Sequence, residues 1–188
     1  SQNLFAKQVG SYRVGPVNST APLVVPYILW GGDMATFHGN GGLRTKSGST
    51  FAKQGLDLKL TAGDDFAGQV RDYMSGRSPF LRGTFRMMGM ASEVLNSDPR
   101  TKPVIFMQMT WSAGDHLVSR GSLKTIKDLR GKTIVLQRGG PHVGMLDDVL
   151  RTAGLSWNDV KIQWVNDITG PNGPATAFQK NSRVDACF

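Results

Sequence analysis

Residues 121–137, GSLKTIKDLRGKTIVLQ, lead directly into RGGPHVGMLDDVLRTAGL at 138–155. Thr125 to Leu129 is long enough for about one helical turn, and Arg130-Gly131-Lys132 ends it. Thr133-Ile134-Val135-Leu136-Gln137 is a short apolar, β-branched run and reads as a strand. Arg138-Gly139-Gly140-Pro141 turns the chain and opens a helix, since proline suits a helix start. Leu146, Val149, Leu150 and Ala153 recur at helical spacing as its buried face, and Gly154 is its cap. Lys161-Ile162-Gln163-Trp164-Val165 is the next strand. Two strands joined through a helix are the unit from which parallel sheets are built.

The same alternation extends both ways. Downstream, Pro174 to Gln179 reads as a short helix, and Val184 to Phe188 begins a strand. Upstream, His116 to Ser119 is a short strand and Val104-Ile105-Phe106-Met107-Gln108-Met109 a strong one. Two helices come before it. One runs from about Phe66 to Ser75, N-capped from Asp64-Asp65 and stopped at Gly76, with Phe66, Val70, Tyr73 and Met74 on one face. The other runs from about Phe85 to Leu95, with Met87, Met88, Ala91, Val94 and Leu95 as its apolar side. Leu56 to Leu60 alternates and reads as a strand. PLVVPYILW, residues 22–30, reads as a buried strand running into Gly31-Gly32-Asp33. Residues 34–53 hold too many breakers for a long helix, and residues 1–20 read as a loose, flexible lead-in. The expected class is α/β, with mainly parallel sheets flanked by helices.

Bulk properties narrow the function. Apolar residues make up 39% of the 188, enough for a core. No run reaches the roughly 18 uninterrupted apolar residues of a membrane span. The net charge is +8, but the cations are scattered, from Arg82, Arg86, Arg100 and Lys102 to Lys124, Lys127, Arg130 and Lys132. With no basic block and no aromatic–basic motif, this is a basic surface and not a nucleic-acid site. The single cysteine, Cys187, excludes an internal disulfide and a cysteine-rich zinc site, and fits a cytoplasm or a Gram-negative periplasm equally. Ser1-Gln2-Asn3 reads as a processed end, compatible with a removed signal peptide.

The stretch from Gly121 to Gln137 resembles periplasmic solute-binding proteins of ABC transporters, of the nitrate, sulfonate and taurine type. Their Asp-Leu-x-Gly-Lys pattern is met by Asp128-Leu129-Arg130-Gly131-Lys132, and their helix ending by Ala153-Gly154-Leu155. Arg183-Val184-Asp185-Ala186 resembles their Val-Asp-Ala strand entry. Trp30-Gly31-Gly32 and Tyr73-Met74-Ser75-Gly76 match less specifically, so the likeness covers Tyr27 to Phe188. It implies a two-lobed periplasmic-binding-protein type II fold, with lobe 1 at residues 21–111 and lobe 2 at 112–188. It also implies that lobe 1's return segment would follow Phe188, so that both lobes are incomplete and the chain is truncated at its C-terminus. By the same likeness the protein is periplasmic. It would capture a small polar or anionic solute between lobes by hinge closure and deliver it to an ABC permease and ATPase, with no cofactor.

Candidate ligand contacts follow from the strand-to-helix turns, where α/β proteins place ligands. Trp30, Gly31, Gly32 and Asp33 face the ligand, or else Trp30 is core and the glycines only a turn. Thr84 contacts a ligand, N-caps the helix after it, or does both. Arg82 beside it balances an anion, although a lone arginine is more often on the surface. Thr110, Trp111 and Ser112 recognise a polar group, or form an ordinary hinge. Arg138, Gly139, Gly140 and His142 make the strongest candidate. There the glycines let the backbone approach a ligand, and His142 sits in the first helical turn as a neutral donor or acceptor.

Catalysis finds little support. His38, His116 and His142 lie far apart without metal-ligand spacing. No Gly-x-Ser-x-Gly elbow or phosphate-binding glycine loop occurs. The expected protein is therefore not an enzyme and carries no metal. The alternatives are a thiamine-pyrimidine-synthase-like enzyme of the same fold, whose Cys-rich motif is missing here, and a ligand-sensing domain.

Overall fold

Apolar residues three and four apart bury a helix only if another element covers them. In this chain they do so in two separate places. The computed structural model describes residues 4–111 and 114–188, and these fall into two compact units divided between residues 111 and 112.

The first unit contains α1 (Leu4–Val9), β1 (Leu23–Tyr27), α2 (Met34–Asn40), α3 (Thr50–Lys53), β2 (Leu58–Ala62), α4 (Phe66–Met74) and α5 (Phe85–Leu95). β1 and β2 pair in parallel, from Leu23 opposite Leu58 to Tyr27 opposite Ala62. The core is largely helical: Phe66, Val70 and Met74 of α4 meet Met87, Ala91, Val94 and Leu95 of α5. Asp65 caps α4 by accepting the Gly68 N–H, and Thr84 caps α5 by accepting the Met87 N–H at 3.2 Å. Gly76 adopts φ +77° beyond α4, and a Cβ there would collide with the Pro16 carbonyl oxygen.

The second unit contains β3 (Val118–Ser119), β4 (Thr133–Gln137), α6 (His142–Thr152), β5 (Lys161–Val165), α7 (Pro174–Lys180) and β6 (Ala186–Cys187). The strands lie in the order β3-β6-β4-β5, with β4 parallel to both neighbours and β3 antiparallel at the edge. Ile134 and Leu136 join Leu146 and Leu150 on the α6 face. Val135 joins Val184, Cys187 and Phe178 on the α7 face. Each such fully buried side chain contributes about 1.5–3 kcal/mol. Both units are α/β with parallel pairing and flanking helices, the class read from the sequence.

Three expectations are corrected. Residues 1–20 are not all a loose lead-in. Leu4–Val9 is helical, and Phe5 and Val9, four residues apart, are buried against α4 and α5. The following segment is tied down by Gly15 N–H to Met74 O and Asn18 N–H to Gly76 O. The strand expected over 22–30 stops at Tyr27, because the Ile28 and Leu29 N–H groups turn to the carboxylates of Asp33 and Asp64. Most clearly, Val104–Met109 forms no strand: Val104 is 83% exposed and Phe106 72%. β-propensity reflects packing against neighbouring strands, and no described residue pairs with this segment.

Candidate functional site

Each unit carries a parallel strand that runs through a glycine turn into a helix, and part of the expected ligand contacts lie at these two turns. After β1, Asp33 occupies the position where aspartate ordinarily caps a helix, yet it makes no cap bond to α2. Its buried carboxylate turns back instead. One oxygen accepts the Ile28 N–H at 3.0 Å and the other accepts Arg82 Nε at 3.3 Å. A second carboxylate, Asp64, accepts the Leu29 N–H at 3.0 Å. The two acids hold the chain's exit from β1.

Arg82 is not the surface residue that a lone arginine suggests. Its side chain is only 13% exposed and that of Asp33 2%. The backbone of Arg82 is gripped from both sides by the buried side chain of Gln69. Gln69 Oε1 accepts the Arg82 N–H, while Nε2 donates to the Arg82 carbonyl at 2.9 Å and the Gly63 carbonyl at 3.0 Å. Gly32 completes the group. A Cβ built there would lie 2.5 Å from Thr110 Cγ2, 3.1 Å from Thr110 Oγ1 and 3.2 Å from Arg82 Nη2. The structure thus brings Gly32, Asp33 and Thr110 together around Arg82.

The other candidates of this unit fall elsewhere. Trp30 packs against the helical core, Gly31 is an exposed turn residue at φ +79°, and Thr84 is engaged as the cap of α5. Trp111 is exposed and Ser112 lies outside the described residues.

After β4, Gly139 takes φ +65°, and Gly140 is closed over by its own neighbour. A Cβ on Gly140 would meet Gln137 Oε1 at 2.5 Å, and Gln137 is itself buried, donating to the Asn166 carbonyl at 3.0 Å. Arg138 is exposed, its guanidinium 5.6 Å over the Trp164 ring. His142 is the first residue of α6. Its Nε2 lies 3.2 Å from Asp115 Oδ1, and its ring stacks on Phe188 at 5.4 Å and 14°. His142 Nδ1 is buried without a hydrogen-bond partner.

Sequence reasoning did not reach the Asp33–Arg82 pair or the Asp115–His142 pair. Their members stand 49 and 27 residues apart. The one local signal was an aspartate at a helix start following two glycines, and that pattern reads first as a cap.

Among solved structures, the periplasmic aliphatic sulphonate binding protein SsuA from Escherichia coli is similar at 33% identity. That match covers 38% of this chain and 22% of that protein, with a TM-score of 0.33, so it takes in under a quarter of the relative's length. No curated protein matches. A family model described as NMT1/THI5 like matches residues 46–172, a span containing Arg82, Thr110, the whole of β4 and the turn after it, but not Gly31-Gly32-Asp33. On that match across most of its length, the chain belongs to the NMT1/THI5-like family.

Proposed function

We propose that this chain belongs to an extracytoplasmic solute-binding protein. It captures a small polar or anionic solute and delivers it to an ABC permease and its ATPase, without catalysing a reaction. One observation carries the reading within the NMT1/THI5-like family. At the carboxyl end of a parallel strand in each unit, a glycine turn opens directly into a helix, β1 through Gly31-Gly32 and β4 through Gly139-Gly140. Such strand ends are where open α/β sheets hold ligands.

Ligand-induced stabilisation tests it. The purified chain is melted with nitrate, bicarbonate, alkyl sulfonates, taurine, phosphate and pyrimidines in turn. A compound bound at a hundredfold excess over its Kd contributes about 2.7 kcal/mol, roughly 5–10 °C for a chain of this size. A dose-dependent rise with an anion or polar solute supports the reading, and no rise with any compound overturns it. The family also contains synthases, so the pyrimidines serve a second purpose: a pyrimidine that binds and is chemically changed, followed by mass spectrometry, would favour the enzyme reading.

A further inference from the structure

Arg82 sits at the first unit's turn with most of its hydrogen-bonding capacity unused. A guanidinium carries five N–H donors in a planar fork. Nε is taken by Asp33, and no described residue accepts a hydrogen bond from either Nη nitrogen. Keeping a cation at 13% exposure with unfilled donors is costly unless something answers them. The surroundings nonetheless hold this side chain in place. Gln69 clamps the backbone of Arg82, and Asp33, itself anchored by the Ile28 N–H, fixes the Nε edge. Nη2 lies 3.2 Å from where a Cβ at position 32 would stand, and the exposed Thr110 side chain covers the same point, its Cγ2 at 2.5 Å and its hydroxyl oxygen at 3.1 Å.

We propose that Arg82 is the anion-contacting residue of this unit. Its Nη edge holds an oxyanion group of the solute, a carboxylate, nitrate or sulfonate, beside Gly32 and the Thr110 hydroxyl, and Asp33 is the positioning residue. This rests on the solute-binding reading above. Two N–H donors in one plane match two oxygens of such a group, which a lysine's single ammonium does not reproduce. The Asp33 carboxylate neutralises the guanidinium, so the contact works through short, directed hydrogen bonds and not through a long-range field. Affinity should therefore depend weakly on salt. Removing the Asp33 charge makes the site cationic, and binding then becomes salt-sensitive even if the fold is unchanged.

The experiment is calorimetric titration of the full chain with sodium nitrate, sodium ethanesulfonate and sodium acetate as probes, alongside their uncharged counterparts. Wild type is compared with Arg82→Lys, Gly32→Ala and Asp33→Asn. Gly32→Ala keeps the ion pair and sets a methyl beside Nη2, displacing the exposed Thr110 side chain, so it separates blocked binding from lost folding. Expected are binding of at least one oxyanion by wild type and a loss of about tenfold or more in both Arg82→Lys and Gly32→Ala, about the worth of one charge-assisted hydrogen bond. Between 0.05 and 0.5 M salt, Asp33→Asn should weaken by about threefold or more, against less than about twofold for wild type. If wild type binds an oxyanion while Arg82→Lys and Gly32→Ala bind within twofold of it, the role of Arg82 is overturned and the solute-binding reading stands. If wild type binds only uncharged solutes, the oxyanion assignment falls alone. If it binds no solute at all, both fall.

Discussion

The turns after β1 and β4 share a backbone plan and differ in what fills them. After β4 the chain closes its own space: Gln137 folds over Gly140 and bonds to Asn166, and His142 stacks on Phe188. After β1 the position that a Cβ of Gly32 would take is met by the exposed Thr110 side chain, its Cγ2 at 2.5 Å, and by Nη2 of the half-buried Arg82 at 3.2 Å. The two glycine turns are thus filled differently, one by a buried glutamine of its own strand and the other by an exposed threonine from a distant segment.

The sharpest way to break that comparison is to truncate the arginine of each turn. Arg82→Ala leaves the Asp33 carboxylate buried without its cation and should cost about 3 kcal/mol. Arg138→Ala removes an exposed side chain and should stay within about 0.5 kcal/mol. Urea unfolding followed by tryptophan fluorescence measures both, and equal costs would erase the contrast. The glycines come next. Gly140→Ala must displace buried Gln137 and should cost about 1–2 kcal/mol, whereas Gly32→Ala displaces the exposed Thr110 side chain and crowds Arg82 Nη2 and should cost about 0.5 kcal/mol. Thr84→Ala should cost about 1 kcal/mol, the worth of an N-cap. If it also leaves oxyanion affinity unchanged, Thr84 is a cap only.

The smallest effect expected is acid sensitivity of the second unit's short turns. Asp128 accepts the N–H groups of Thr125 and Lys124, and Asp159 that of Ser156, and these bonds hold both carboxyls below the ordinary carboxylate range. A group with a depressed folded pKa stabilises fully above its unfolded value, near 4, and loses that contribution as pH falls through the folded value. Melting temperature should therefore be flat from pH 7 to 5 and fall below about pH 4. In the double variant Asp128→Asn, Asp159→Asn the fall should be shallower. An identical acid profile in that variant would remove these two groups from the account.

Much of the second unit was legible because its information is local. Thr133–Gln137 and Lys161–Val165 are short apolar runs bounded by turn residues, and the helix between them has leucines at helical spacing and a glycine stop at φ +69°. α5 was equally readable from its Met and Ala periodicity. Residues 104–109 have the composition of a strand but found no partner among the described residues, and pairing is a property of two segments. α1 was too short for its two buried residues to show a period. At the candidate site, the glycines, Asp33 and the helix starts could be read, while the pairing of Asp33 with Arg82 could not.

By itself, then, the sequence determined the α/β class, the parallel β4–β5 pair with its crossover helix, the caps of α4 and α5, and the family likeness carried by Asp128-Leu129-Arg130-Gly131-Lys132. These depend on neighbours a few residues apart, within reach of helical and strand periodicity. Only the tertiary structure decided that Asp33 forgoes its cap to hold Arg82, that Gln137 occupies the space beside Gly140, and that Val104–Met109 finds no strand partner among the described residues. Each of these depends on which groups compete for a buried charge, a volume or a backbone hydrogen bond once distant segments meet, and that competition exists only in the folded chain.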